Sequence, residues 1–179
     1  DRPEALAGAI VGSLNNILVA HIEGGEVSGT IDEVIRHAVS KLSHVHFVAH
    51  EEARNRLVQM GERTDSIYVI GSPDIDIMLS DKLPALDKVK NYYQIPFDDY
   101  AVLMHHPVTT EAKHTFRQAS NIVDACIESE KNYVVVYPNN DMGSNDIFRA
   151  YEKFSEFPER FRVFPSLRFE YFLVLLKHA

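Results

Sequence analysis

The segment His21-Ile22-Glu23-Gly24-Gly25-Glu26-Val27-Ser28-Gly29-Thr30-Ile31-Asp32-Glu33 places one imidazole, four carboxylates and three glycines within thirteen residues. Clustered acids beside a histidine are the parts of proton transfer, because their surroundings can set each group's pKa separately. Glycines there let the backbone turn sharply and approach a ligand closely. The segment follows Ile17-Leu18-Val19-Ala20, which reads as a buried strand, so the acids stand at a strand's carboxyl end. The activity is expected in this segment.

Other residue patterns carry chemistry less specifically. His44-x-His46 and His21-x-Glu23 alternate as strand residues do, so each pair shares a face. Histidine with carboxylate can bind zinc. Five of the nine histidines lie within 21–50, yet there is no HExxH and no cysteine cluster. Hydrogen bonding and orientation of the nearby acids is therefore the favoured role of His44 and His46. His105-His106-Pro107-Val108-Thr109-Thr110 follows a strand and precedes a helix that Thr109 or Thr110 can cap. Such a turn can offer an imidazole and free backbone N–H groups to a phosphate, or be an ordinary exposed turn. Asn139 and Asn140 before Gly143-Ser144 can serve equally as turn residues. No GxGxxG, P-loop or nucleophile elbow is present.

The elements that must position these groups alternate. Short apolar runs at Ile17–Ile22, Val45–Ala49, Ile67–Ile70, Ala101–Met104, Tyr133–Tyr137 and Arg162–Phe164 read as strands. Helical patterns lie between them at 5–13, 31–43, 51–61, 74–80, 110–129, 145–155 and 168–178. That alternation implies an α/β protein with a parallel sheet and helices on both faces. Ligands of such sheets bind beyond the carboxyl ends of the strands. Those ends carry His21 and Glu23, Gly71-Ser72-Pro73-Asp74, His105-His106, and Pro138-Asn139-Asn140-Asp141.

Within 31–43, Thr30 as N-cap and Glu33 form a capping box. Ile31, Val34, Ile35, Ala38 and Leu42 then make an apolar stripe, while Asp32 pairs with Arg36 and Glu33 with His37 at i,i+4 on the other side. That charged side is read either as a solvated face or as part of the site, and its place beside Glu23 favours the site. Around 81–99 the periodicity lapses between two prolines, which reads as a connection between halves 1–80 and 100–179.

Composition excludes several classes. No apolar run approaches the ~20 residues of a membrane span. A net charge of -8 disfavours nonspecific nucleic-acid binding, which needs a basic stripe. The single cysteine, Cys126, argues against a disulfide scaffold and fits a reducing cytoplasm. The opening Asp1-Arg2-Pro3-Glu4 and the unfinished helical pattern at 172–179 suggest an internal piece of a longer protein.

The run from His21 to His44 closely resembles the hydrolysing UDP-N-acetylglucosamine 2-epimerases of sialic acid biosynthesis. His106-Pro107-Val108-Thr109-Thr110 and Pro138-Asn139-x-Asp141-x-Gly143-Ser144 resemble two later motifs of that family, in the same order, and Asp1-Arg2 resembles the end of its Gly-Asp-Arg loop. The resemblance runs along essentially the whole chain. It implies two Rossmann-like half-domains in a glycosyltransferase-B-like fold: 1–80 as the later part of the first, 81–99 as linker, and 100–179 as the first part of the nucleotide-binding second.

The same resemblance implies a reaction. Family members remove the C2 proton of UDP-GlcNAc, eliminate UDP to give a glycal, and add water, yielding ManNAc and UDP without metal or nicotinamide cofactor. By position, Asp1, Glu23 and Asp32 correspond to catalytic acids, with Glu33 adjacent to the last. His21, His44 and His46 correspond to histidines needed for activity. Arg2, His106 and Asn139 correspond to contacts with the nucleotide sugar, and His106 to a group that helps UDP depart. A homo-oligomer is implied as well.

The family's N-terminal Gly-rich strand–loop and its C-terminal Gly-Asn-Ser-Ser segment have no counterpart in 1–179, so these residues alone are expected not to turn over UDP-GlcNAc. Alternatives are a relative acting on a 2,4-diacetamido sugar, a non-hydrolysing epimerase giving UDP-ManNAc, a zinc hydrolase using His44 and His46, and a noncatalytic sugar-nucleotide-binding module.

Overall fold

A computed structural model describes residues 2–29 and 31–179. The chain divides into two compact units, residues 1–76 and 77–179. Each is built on a three-stranded parallel sheet, β1-β2-β3 in the first and β4-β5-β6 in the second.

In the first unit, helix α1 (Pro3–Leu14) leads to β1 (Ala20–Ile22), then α2 (Ile31–Lys41), β2 (Val45–Val48), α3 (Glu51–Gln59) and β3 (Ile67–Val69). Pro3 suits the start of α1, where its missing N–H has no intrahelical partner to lose. The register pairs His21 with His46 across β1 and β2, and His46 with Ile67 across β2 and β3. Along β2, His46 and Val48 are buried while Val45 and Phe47 are only partly so, the alternation that a pleated strand imposes. Val48, Ala53, Leu57 and Ile67 form the core between α3 and the sheet.

Two expectations fail in this unit. Ile17 and Leu18 are 57% and 72% exposed and precede the strand, which begins only at Ala20. Among the described residues β1 pairs with β2, and Ile17 and Leu18 lie before it in the chain. The expected stripe on α2 is also displaced: Ile31 and Val34 are exposed, and the buried residues are Val39 and Ser40. The Thr30 cap lies outside the described residues. The Glu33 carboxylate accepts the backbone N–H of Ser28 at 2.9 Å, which ties the glycine-bearing loop to the start of α2.

Helix α4 (Pro73–Met78) precedes the second unit's own elements: α5 (Leu86–Tyr93), β4 (Ala101–Met104), α6 (Thr115–Glu128), β5 (Tyr133–Val136), α7 (Ser144–Tyr151), β6 (Phe161–Phe164) and α8 (Phe169–Lys177). The central strand β5 is covered on both faces. Val135 joins Ala119, Val123, Ile147 and Phe154 of the α6/α7 layer, while Val134 joins Val89, Val174 and Leu175 of the α5/α8 layer. A strand buried on both sides needs an unbroken apolar run, and Tyr133-Val134-Val135-Val136 is one.

The stretch 81–99 is not a bare connection. It contains α5, and Val89, Ile95 and Phe97 are buried. Pro84 and Pro96 flank the helix rather than interrupt it. Leu86, Val89 and Tyr93 stand at helical spacing, but eight residues are too few for periodicity to be conspicuous. The helix expected over 110–129 also starts later, at Thr115. Residues 109–114 form a 3-10 segment with a non-helical Glu111, and neither Thr109 nor Thr110 caps a helix by its side chain.

Candidate active site

A cavity of about 480 Å³ lies at the carboxyl ends of the first unit's strands. β1 contributes His21, Ile22 and the following Glu23 and Glu26. The turn after β2 contributes Ala49 and His50, the turn after β3 contributes Ser72, and α2 contributes Arg36. Three successive strand ends thus converge on one polar hollow, as the topology of a parallel sheet requires of its ligand site.

The glycine pair shapes this hollow. Glu23 itself has φ 62°, a left-handed conformation that few non-glycine residues adopt. Its backbone N–H is held by the Phe47 carbonyl at 2.7 Å, and its Oε1 accepts the Ser72 hydroxyl at 2.6 Å. Gly25 has φ +79°, and a Cβ there would lie 2.3 Å from the Ala53 carbonyl oxygen. The Arg56 guanidinium donates to the Gly25 carbonyl at 2.6 Å, securing the turn against α3. Farther along, Arg36 donates to the Glu26 carbonyl and to the Ser28 hydroxyl. Glu26 also faces the His50 ring at 3.1 Å, while the other nitrogen of that ring accepts the Ala53 N–H as the cap of α3.

Behind the cavity runs a buried polar row. His21 Nδ1 lies 3.0 Å from the Ser40 hydroxyl. Burial, with the neighbouring His46 and Arg36, lowers the His21 pKa to about 4. His46, fully buried beside it on β2, is also held below the usual histidine value by burial, partly opposed by Glu62 at 3.4 Å from Nε2. Lys41 Nζ in turn holds Glu62 at 2.6 Å. Two adjacent strands therefore present imidazoles on one face, the outer at the cavity and the inner beside the Lys41–Glu62 ion pair.

The structure separates the other predicted residues. His44 stands at the amino end of β2, where its Nδ1 accepts the Val19 N–H at 3.2 Å. It lines a different hollow, of about 460 Å³, with Glu62, Arg63 and Asp65. Asp32 and Glu33 occupy the first turn of α2 and do not line the Glu23 cavity, although Arg36, one turn along, does. Exposed Arg2 is the N-cap residue of α1. Asp1 lies outside the described residues. Among the described residues, no group of three or more His, Cys, Asp or Glu side chains is arranged to hold a metal ion, and no helix is long and apolar enough to cross a membrane.

Arg36 and His50 are lining residues that the sequence reading did not single out. His50 was legible in principle as a polar residue directly after a strand and before a helix. In sequence Arg36 reads only as the i,i+4 partner of Asp32.

In the second unit, His106 and Asn139 meet beyond the ends of β4 and β5. The Asn139 N–H donates to His106 Nδ1 at 3.0 Å, and the Asn139 amide donates to Asp141 at 2.5 Å. Gly143, at φ +104°, lets the two turns pack: a Cβ there would lie 2.9 Å from the Thr115 hydroxyl and 3.2 Å from Pro107. A side chain at residue 143 would therefore crowd both α6 and the turn that carries Pro107.

The family model for UDP-N-acetylglucosamine 2-epimerase matches residues 1–179. The chain belongs to that family. A UDP-N-acetylglucosamine 2-epimerase of Neisseria meningitidis serogroup B is 54% identical over 179 residues, all of this chain and 47% of that protein. A hydrolysing UDP-N,N'-diacetylbacillosamine 2-epimerase of Legionella pneumophila is 36% identical over 160 residues, 89% of this chain and 42% of that protein. This member of the 2-epimerase family therefore spans about half the length of the curated relatives it matches.

Among solved structures, the Methanocaldococcus jannaschii UDP-GlcNAc 2-epimerase in complex with UDP-GlcNAc and UDP superimposes with a TM-score of 0.75 at 22% identity, over 100% of this chain and 51% of that one. The likeness is one of fold: Rossmann-like units with parallel sheets flanked by helices, of the glycosyltransferase-B-like kind.

Proposed function

We propose that the whole protein carrying this chain is a hydrolysing UDP-N-acetylglucosamine 2-epimerase, converting UDP-GlcNAc and water to ManNAc and UDP in a cytoplasmic route to sialic acid. The observation that carries the reading is the cavity at the carboxyl ends of β1, β2 and β3. It brings the Glu23 carboxylate, a neutral His21 and the Arg36 guanidinium together in the segment that most resembles the hydrolysing family.

The chemistry asks for a base at a weakly acidic C–H and for assistance to the departing diphosphate. A carboxylate removes the C2 proton, and the electron pair forms the C1=C2 bond as the C1–O bond to UDP breaks. Water then adds its oxygen at C1 while a proton returns to C2 from the other face. Glu23 and Glu26 are the carboxylates that line the cavity; Glu23, with Asp1 and Asp32, is proposed as a catalytic acid by family position. Two nearby carboxylates can divide acid and base roles by their surroundings. His106 and Asn139 are proposed as contacts of the nucleotide, and His44 as a structural residue that fastens the amino end of β2 to Val19.

A second reading, a hydrolysing epimerase of a UDP-2,4-diacetamido sugar, is favoured by the likeness to the Legionella protein and to a Campylobacter jejuni GDP/UDP-N,N'-diacetylbacillosamine 2-epimerase. The test is proton NMR of the whole protein with each nucleotide sugar in D2O with EDTA. UDP release with deuterium at C2 of ManNAc supports the reading. UDP-ManNAc formed without UDP release would show the non-hydrolysing reaction. Turnover of the diacetamido sugar alone would favour the second reading, and EDTA-sensitive hydrolysis would replace both.

A further inference from the structure

We propose that Ser40 is a positioning residue that fixes His21 as its neutral Nε2–H tautomer, so that the ring borders the cavity as a hydrogen-bond donor. Ser40 sits on α2, about two turns away from the acids at its start, and is fully buried. A buried hydroxyl hydrogen needs an acceptor, since it has left water behind. Among the described residues, the hydroxyl's one hydrogen-bond partner is His21 Nδ1 at 3.0 Å. If Ser40 donates, Nδ1 supplies a lone pair, and a neutral imidazole must then carry its proton on Nε2.

The surroundings are built for this contact. A Cβ on residue 24 would lie 2.8 Å from His21 Nδ1 and 3.1 Å from the Ser40 hydroxyl oxygen, so Gly24 makes room for the pair. On the side of β2, His46 is the cross-strand neighbour of His21, and on α2 Arg36 adds positive charge. Both disfavour an imidazolium, as does burial, so the ring keeps one proton and Ser40 decides which nitrogen bears it.

Resting on the nucleotide-sugar reading, the consequence is a division of labour. His21 serves as a fixed donor to an oxygen of the bound sugar nucleotide rather than as a cationic acid. The carboxylates carry the proton that moves.

The tautomer is readable without substrate, from long-range ¹H–¹⁵N correlation spectra of the ¹⁵N-histidine-labelled whole protein, with His21 assigned by loss of its signals in His21→Gln. The expected spectrum shows protonated Nε2 and bare Nδ1, unchanged from pH 8 to about pH 5.5. In Ser40→Ala the signals should become those of mixed tautomers, with the titration midpoint moving toward the ordinary histidine value. Ser40→Thr should restore the wild-type pattern. A wild-type spectrum with the proton on Nδ1, or an unchanged tautomer in Ser40→Ala, would overturn the proposal. Should Ser40→Ala fail to fold, Ser40→Cys, with a weaker donor, should give the mixed pattern in its place, and a proton on Nδ1 in wild type would still overturn the proposal. An Nε2–H tautomer in a protein that turns over no nucleotide sugar would retire the substrate reading and leave the role of Ser40 standing.

Discussion

Glu23 shows what a site can demand of one residue. Its left-handed φ of 62° is a conformation that costs an ordinary side chain roughly 1–2 kcal/mol, and the Ser72 hydroxyl and Phe47 carbonyl hold it there. Glu23→Gln keeps the shape and the Ser72 bond while removing the charge. Its expected effect is a fall in turnover of about 10²–10⁴-fold in the whole protein, the usual worth of a positioned acid or base. The thermal midpoint should stay close to that of wild type, and an active Glu23→Gln enzyme would remove Glu23 from the chemistry.

The histidines make a second prediction at the same scale. His21 falls from 6.5 to about 4 on folding, and His46 and His105 are lowered too, in each case chiefly by burial. A depressed histidine pKa means that the unfolded chain takes up protons first. Stability is then full above about pH 6.5 and is lost as pH falls through about 6.5 to 4, with His21 alone accounting for on the order of 2–3 kcal/mol. Urea midpoints between pH 7.5 and 5 should decline, and His21→Gln should flatten part of that decline. A flat wild-type profile would contradict the assigned burial.

At the scale of elements, the glycines of one loop should behave unequally. Gly25→Ala would force a Cβ to 2.3 Å from the Ala53 carbonyl at a φ that alanine resists, whereas Gly29→Ala meets nothing within 4 Å. The first is expected to destabilise by more than about 2 kcal/mol and the second to stay within about 0.5 kcal/mol, as chemical denaturation would measure. The loop was legible in the sequence because glycine next to acids after a strand has few uses. The alternation of strands and helices was legible for the same kind of reason: Tyr133–Val136 is apolar throughout because both its faces are covered. What misled was local pattern where tertiary context decides. Leu18 looks like part of a strand but lies before β1, and α5 looks like a linker because its eight residues offer only two helical intervals. Arg36 and His50 were unreadable as site residues because the cavity is assembled from turns after three different strands, which spacing along one segment does not reveal. His44 and His46, two residues apart, form a pair in sequence, yet one accepts the Val19 N–H at the far end of the sheet and the other lies buried beside His21.

At the scale of the whole molecule, folding must close long stretches of chain, and the second unit shows how it does so. Tyr100, just before β4, donates its hydroxyl to the Leu175 carbonyl of α8 at 2.9 Å, a bond between residues 75 apart and buried at both ends. Tyr93 accepts the Arg168 N–H at 2.9 Å over the same separation. Both ties secure the α5/α8 layer over one face of the sheet, where Val89, Val134 and Val174 meet. Tyr100→Phe keeps the ring packing and removes one donor. The Leu175 carbonyl retains the His178 N–H at 3.3 Å, so it is not left bare, and the loss should be about 1 kcal/mol rather than the larger cost of an orphaned buried group. Tyr100→Ala adds the loss of a buried aromatic and should cost about 3–5 kcal/mol. Urea unfolding followed by the tyrosine signal distinguishes these. Equal losses in the two variants would mean that the hydrogen bond, not the packed ring, closes this layer.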